Sequence, residues 1–172
     1  MDANRRGRVI VGIDPSPSGM CALRRAVDEA REREATLVAV RSWLTQPRMY
    51  AVAPDLREID EADARGLVMR AFAETMGGLP NDVIVEQVVL PDYPGPALVR
   101  VADRDEDLLV LGSGHRGWRG SGSRTVRYCV AWAACPVLVI PPPQLVRTFS
   151  QRALRRQLRR EIEDLTRGGS VA

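Results

Sequence analysis

"RVIVGIDPSPSGMCALRRAVDEAREREATLVAVRSW", residues 8–43, changes its pattern twice. "RVIVGID" (8–14) is a continuous apolar run, short and closed by Asp-Pro, and reads as a strand buried on both faces. Leu23, Ala26, Val27 and Ala30 then recur at the spacing of one helix face, with Ser18 as the expected cap. "TLVAVRSW" (36–43) returns to strand. A strand, a helix and a strand at this spacing make a βαβ unit, and such a unit pairs its strands in parallel through a right-handed crossover.

The same alternation continues outward from this unit. "LREIDEADARGLVMRAFAETMGG" (56–78) reads as a helix stopped at Gly77–Gly78. "DVIVEQVVL" (82–90) is a third strand, and "PALVRVADR" (96–104) a short helix with proline in its first turn. "DLLVLG" (107–112) is a fourth strand. A helix around 124–133 precedes "CPVLVIP" (135–141), a fifth strand that Pro141–Pro143 ends. The expectation is an α/β domain, an open five-stranded parallel sheet with helices on both faces, over residues 1–143. Residues 144–172 differ: Leu145, Phe149, Leu154, Leu158, Ile162 and Leu165 recur among six arginines from Arg147 to Arg160. This is a basic amphipathic helical extension, expected to pack on its own domain or on a partner copy rather than on a membrane or nucleic acid.

Composition removes several chemistries. All 25 basic residues are arginine, so there is no Schiff-base, Walker-A or kinase lysine, and none for a phospho-receiver site. Cys21, Cys129 and Cys135 form no C-x-x-C, and His115 is the single histidine, which argues against a structural zinc site. The cysteines read as small buried hydrophobes. "MDANRRGRVIVGID" lacks the apolar stretch of a secretory signal, and no run approaches the ~20 apolar residues of a membrane helix. A cytoplasmic location is expected.

The loop after the fourth strand carries the chemistry. "LGSGHRGWRGSGSRT" (111–125) has five glycines, four hydroxyls and three arginines. Glycines let backbone N–H groups approach an anion, and a helix starting near Ser123 adds its own amides and positive dipole end. Ser121, Ser123 and Thr125 add hydroxyls; Arg116, Arg119 and Arg124 add bidentate donors. Asp14, closing the first strand, brings an acceptor suited to a ribose hydroxyl or a base amine, although Asp-Pro is also a common turn pair. "GSGHRG" matches G-x-G-x-x-G but follows the wrong strand, and no acidic residue comes until Glu161, so it is not a dinucleotide fingerprint. No general base or nucleophile for turnover is evident. Slow hydrolysis of a bound phosphate compound is the most that this set suggests.

"VIVGIDPSPSGMCALRRAVDEAREREATLVAVRSW", "DLLVLGSGHRG" and "RYCVAWAACPVLVIP", in this order, resemble the universal stress protein family. The resemblance covers residues 8 to 141. It implies an adenine nucleotide alpha hydrolase-like sheet of order 3-2-1-4-5, and a homodimer formed through the last strand, Val137 to Ile140. Many members bind ATP through a motif of the form G-x2-G-x9-G-S/T. ATP is the ligand so implied, with Mg as the ion that would accompany it. Carried over, Asp14 lies near the adenosine and Val40 to Ser42 line the adenine, with Gly12 and Leu111 at the ends of strands one and four. Gly112 takes the first motif glycine. The second falls on His115, a mismatch to glycine that is either a phosphate contact or an exposed loop residue, with Gly114 and Gly117 on either side. Gly122–Ser123 best match the late pair, Thr125 adds a hydroxyl, and the spacing from Gly112 is shorter than the motif's. The alternative on the same scaffold is a nucleotide-free signalling dimer.

Overall fold

The computed structural model describes residues 7–43, 54–114, 123–148 and 159. Its elements are β1 (Arg8–Gly12), α1 (Pro17–Glu32), β2 (Thr36–Trp43), α2 (Pro54–Met76), β3 (Val85–Pro91), α3 (Pro94–Val101), β4 (Leu108–Gly112), α4 (Arg124–Trp132), β5 (Val137–Ile140) and α5 (Gln144–Thr148). The strands form one parallel sheet in the order β3-β2-β1-β4-β5. The chain divides into two compact units, Met1–Pro142 and Pro143–Ala172. The sheet and α1–α4 belong to the first, and α5 belongs to the second.

Alternation along β1 builds two cores. Val9 and Val11 point to one face, where Leu23, Ala26 and Val27 of α1 and Val68 and Phe72 of α2 cover them. Ile10 points to the other face, beneath Leu98 of α3 and Cys129 of α4. Both faces of the central strands are therefore dry, which is why their sequence is continuously apolar rather than alternating.

Two local details depart from the sequence expectations. Ser16, not Ser18, caps α1: its Oγ accepts from the Gly19 amide at 3.1 Å. Pro17 suits the first helical position, having no N–H to satisfy. Ser18 thereby falls inside the first turn and is free for another role. The third strand starts at Val85 rather than residue 82. Asp82 instead pairs through both carboxylate oxygens with Arg31 of α1, at 2.6 and 3.1 Å.

At the amino ends of the strands, Arg8 ties β1 to the turn before β4. Its guanidinium meets both oxygens of Asp107, at 3.0 and 2.6 Å, and also reaches Asp103 and the Val101 carbonyl. The Asp107 side chain is fully buried, so this pair neutralises a charge inside the fold. The carboxyl ends of the strands, on the opposite side of the sheet, are left for a ligand.

Candidate functional site

Strand order reverses between β1 and β4, and open α/β sheets hold ligands beyond the strand ends at such a point. A crevice of about 590 Å³ lies there. One wall comes from the ends of β1 and β2, with Asp14, Val40, Arg41 and Ser42. The other comes from β4 and α4, with Gly112, Gly114 and Ser123 through Arg127. Leu98 and Pro94 of α3 close it from the side.

The β4 wall is shaped by close approach. A Cβ on Gly112 would lie 2.7 Å from the Gly19 nitrogen and the Ser18 carbonyl carbon, so glycine alone lets β4 pass the start of α1. Gly114 has φ +82, a left-handed conformation that glycine adopts without strain. A Cβ there would lie 3.1 Å from the Ser123 Cβ, so the chain leaves β4 and enters α4 at nearly one point. Ser123, at the N-cap of α4, makes no side-chain cap bond. Among the described residues no side chain caps the first turn of α4, whose amides and positive dipole end start at the crevice wall. Arg124 and Arg127 add formal charge to this wall.

Asp14 is joined to this wall by a hydrogen-bond chain. The Gly114 amide donates to Ser18 Oγ at 3.1 Å, Ser18 and Ser16 hydroxyls meet at 3.1 Å, and Ser16 Oγ donates to Asp14 Oδ2 at 2.5 Å. The direction follows from donor accounting. The amide can only donate, and an ionised carboxylate can only accept, so each serine accepts on one side and donates on the other. Ser16 also accepts from Gly19, which fills its capacity. Both serines are buried. The carboxylate therefore sits in a fixed orientation set from the far wall.

Nine of the expected site residues line this crevice: Gly12, Asp14, Val40, Ser42, Leu111, Gly112, Gly114, Ser123 and Thr125. His115, Gly117 and Gly122 lie outside the described residues, as do Arg116, Arg119 and Ser121. Sequence reasoning missed Ser18, which it took as a cap, and counted Arg41 only within the stretch Val40 to Ser42 that lines the adenine, not as a charge at the strand end. Arg41 Nη1 donates to the Ile13 carbonyl at 2.9 Å, which lays the guanidinium across the strand ends. Its signal was its position, since a side chain at a strand tip can reach around the sheet edge.

The cysteines take no part. Burial pushes the Cys129 thiol up to about 11, with Cys135 adding to the effect, and burial raises Cys135 as well. Thiols held protonated in this way are poor nucleophiles and poor metal ligands. No cluster of metal-ligating side chains occurs among the described residues, and no helix there is long and apolar enough to cross a membrane.

The family model described as the universal stress protein family matches residues 5–141, the whole sheet with its helices. The chain belongs to this family. A universal stress protein of Mycobacterium tuberculosis (strain H37Rv) is 34% identical over 146 residues, which cover 79% of this chain and 44% of the relative. The chain thus spans less than half the length of that relative. Among solved structures, the universal stress protein UspA from Lactobacillus plantarum aligns with a TM-score of 0.59 at 21% identity, over 79% of this chain and 98% of its own. The universal stress protein from Archaeoglobus fulgidus in complex with dAMP aligns at 0.55 with 22% identity, over 78% and 97%. Both solved structures share the fold of this chain.

Proposed function

We propose that this universal stress protein is a cytoplasmic regulatory dimer that binds an adenine nucleotide, ATP first, in the crevice over β1 and β4. One observation carries the reading: a carboxylate held by Ser16, Asp14, faces the N-terminal turn of α4, glycines and guanidinium groups across a single crevice. Donors at one end and an acceptor at the other match the two ends of a nucleotide. Gly112, Gly114, Ser123 and Thr125, with the α4 amides and Arg124, hold the phosphates. Asp14, Val40 and Ser42, with Gly12 beneath them, hold the adenosine. His115, Gly117 and Gly122 belong to the phosphate loop in this reading. ATP brings negative charge to the α4 end, with Mg as its companion ion. The protein orients the nucleotide in this reading. The Archaeoglobus fulgidus relative, solved in complex with dAMP, supports an adenine nucleotide of some kind.

The dimer forms through β5. That strand pairs with β4 on one side, has no strand partner on its other side among the described residues, and leaves all four residues half-buried. Such an edge favours pairing with a second copy.

Titration calorimetry of ATP, ADP and AMP into nucleotide-stripped protein tests the ligand. The expected result is one site per chain, lost in Asp14→Ala while circular dichroism and melting show a folded protein. Folded protein that binds none of the three would overturn the reading and leave a nucleotide-free interaction dimer on the same scaffold.

A further inference from the structure

Beside the crevice lies a second cavity of about 160 Å³, between the start of α1 and the face of α2. The two share Ile13, Asp14 and Arg41. The small cavity has two guanidinium groups on its lining, Arg41 and Arg70. Neither forms an ion pair among the described residues, and the one hydrogen bond of Arg41, to the Ile13 carbonyl, leaves most of its donors unused. Two carboxylates also line it: Asp14, turned toward Ser16, and Glu74, exposed one helical turn beyond Arg70. Going from α4 across the joined cavities, the lining thus offers guanidinium groups at α4, the Asp14 carboxylate, and then the guanidinium groups of Arg41 and the exposed Arg70, with the exposed Glu74 carboxylate beside them.

A nucleotide with phosphate only on its 5′ side uses the first two of these and leaves the third unmatched. From this pattern we infer that the small cavity is an anion subsite, and that the ligand class it selects is a nucleoside bisphosphate with a second phosphate on the 2′ or 3′ ribose oxygen. The inference rests on nucleotide binding in the main crevice. Whichever ribose hydroxyl is phosphorylated, the other remains free to donate to Asp14. The second phosphate then passes beyond Asp14 to the two arginines, where bidentate charge-assisted bonds are available. The space suffices. A phosphate group has five heavy atoms, and at the ~30 Å³ that each water molecule occupies in the liquid it needs roughly this volume.

The test compares adenosine 5′-monophosphate, adenosine 2′,5′-bisphosphate and adenosine 3′,5′-bisphosphate by titration calorimetry on the full chain. At least one bisphosphate is expected to bind about tenfold more tightly than the monophosphate, and the better of the two identifies the ribose position. Arg70→Gln, outside the main crevice, is expected to remove most of this gain and leave monophosphate binding unchanged. Arg41→Gln is expected to abolish the gain. Monophosphate binding with no gain from either bisphosphate would overturn the subsite and leave nucleotide binding standing, as would a gain that survives both substitutions. Failure of all three ligands would overturn the subsite, and the ATP titration described above then decides separately whether nucleotide binding stands.

Discussion

Alanine at Gly112 and alanine at Gly12 should differ sharply, although both glycines end central strands in the same crevice. Neither has positive φ, so backbone strain is not at issue, and any gain from a stiffer unfolded chain applies to both. The neighbours differ. A Cβ on Gly112 would stand 2.7 Å from two backbone atoms of α1, and ordinary contact begins at 3.4 Å, so roughly 0.7 Å must be found. It is not free to take. The first turn of α1 is fixed by the Ser16 cap, and Gly19 presses on the loop so closely that its own Cβ would lie 2.0 Å from the Asp14 carbonyl oxygen. A Cβ on Gly12 would instead meet methyl groups of Leu111 and Leu98 at 3.1 to 3.4 Å, and these can rotate aside. Overpacking against a fixed neighbour costs about 1–3 kcal/mol, whereas Gly12→Ala should stay below about 1 kcal/mol. At ~2–4 °C per kcal/mol for a chain of this size, Gly112→Ala should melt about 2–12 °C below wild type. Urea titration with unchanged m-values measures the difference. If Gly112→Ala lies within about 0.5 kcal/mol of wild type, or matches Gly12→Ala, then α1 is not pinned against β4 as described.

Four further outcomes follow from the same contacts. Ser18→Ala interrupts the chain from Gly114 to Asp14 and strands a polar group, so it should cost about 1–3 kcal/mol by urea titration and weaken ATP more than adenosine; equal weakening would show that Ser18 does not couple the walls. Arg8→Met leaves the buried Asp107 carboxylate unpaired and should cost about 3–5 kcal/mol with nucleotide affinity unchanged in the folded fraction; a loss below about 1 kcal/mol would refute the pairing. Glu29 is held below its usual range by Arg33 and then Arg25, against an opposing effect of burial, so its contribution is complete above the unfolded value of ~4.3 and is lost as pH falls through the folded value; wild type should lose stability below that point more steeply than Glu29→Gln, and parallel acid limbs would count against it. Val139→Asp on β5 should halve the particle mass seen by light scattering, and an unchanged mass would move the dimer contact elsewhere.

The fold was legible because the central strands are dry on both faces. That condition leaves apolar runs such as Val9–Val11 and Leu108–Leu111 that no exposed strand would carry, and helical spacing fills the intervals between them. Strand edges were less legible where a side chain had a tertiary partner. Asp82 follows the expected pattern of a strand start but turns aside to Arg31, and that contact joins residues 51 apart. Ser18 was misread for a similar reason. Its local setting is that of a cap, and only the approach of Gly114, 96 residues later, shows why a hydroxyl stands there. Strand order came from the family resemblance, since periodicity does not encode which strands are neighbours.

The spacing of the phosphate motif illustrates the same limit. Counted along the chain, the distance from Gly112 to Gly122–Ser123 is too short for G-x2-G-x9-G-S/T. Counted in space, Gly114 and Ser123 are already in contact. The donors that open on the crevice among the described residues come from these two ends and from the first turn of α4, whose position is set by packing against α3 and β5. Gly95 of α3 takes part in that packing: a Cβ there would lie 2.9 Å from the Tyr128 ring, so α4 can lie this close only over a glycine. A shortened motif is therefore weak evidence against phosphate binding here, and the anchors Gly114 and Ser123, rather than the spacing between them, are where substitutions should decide it.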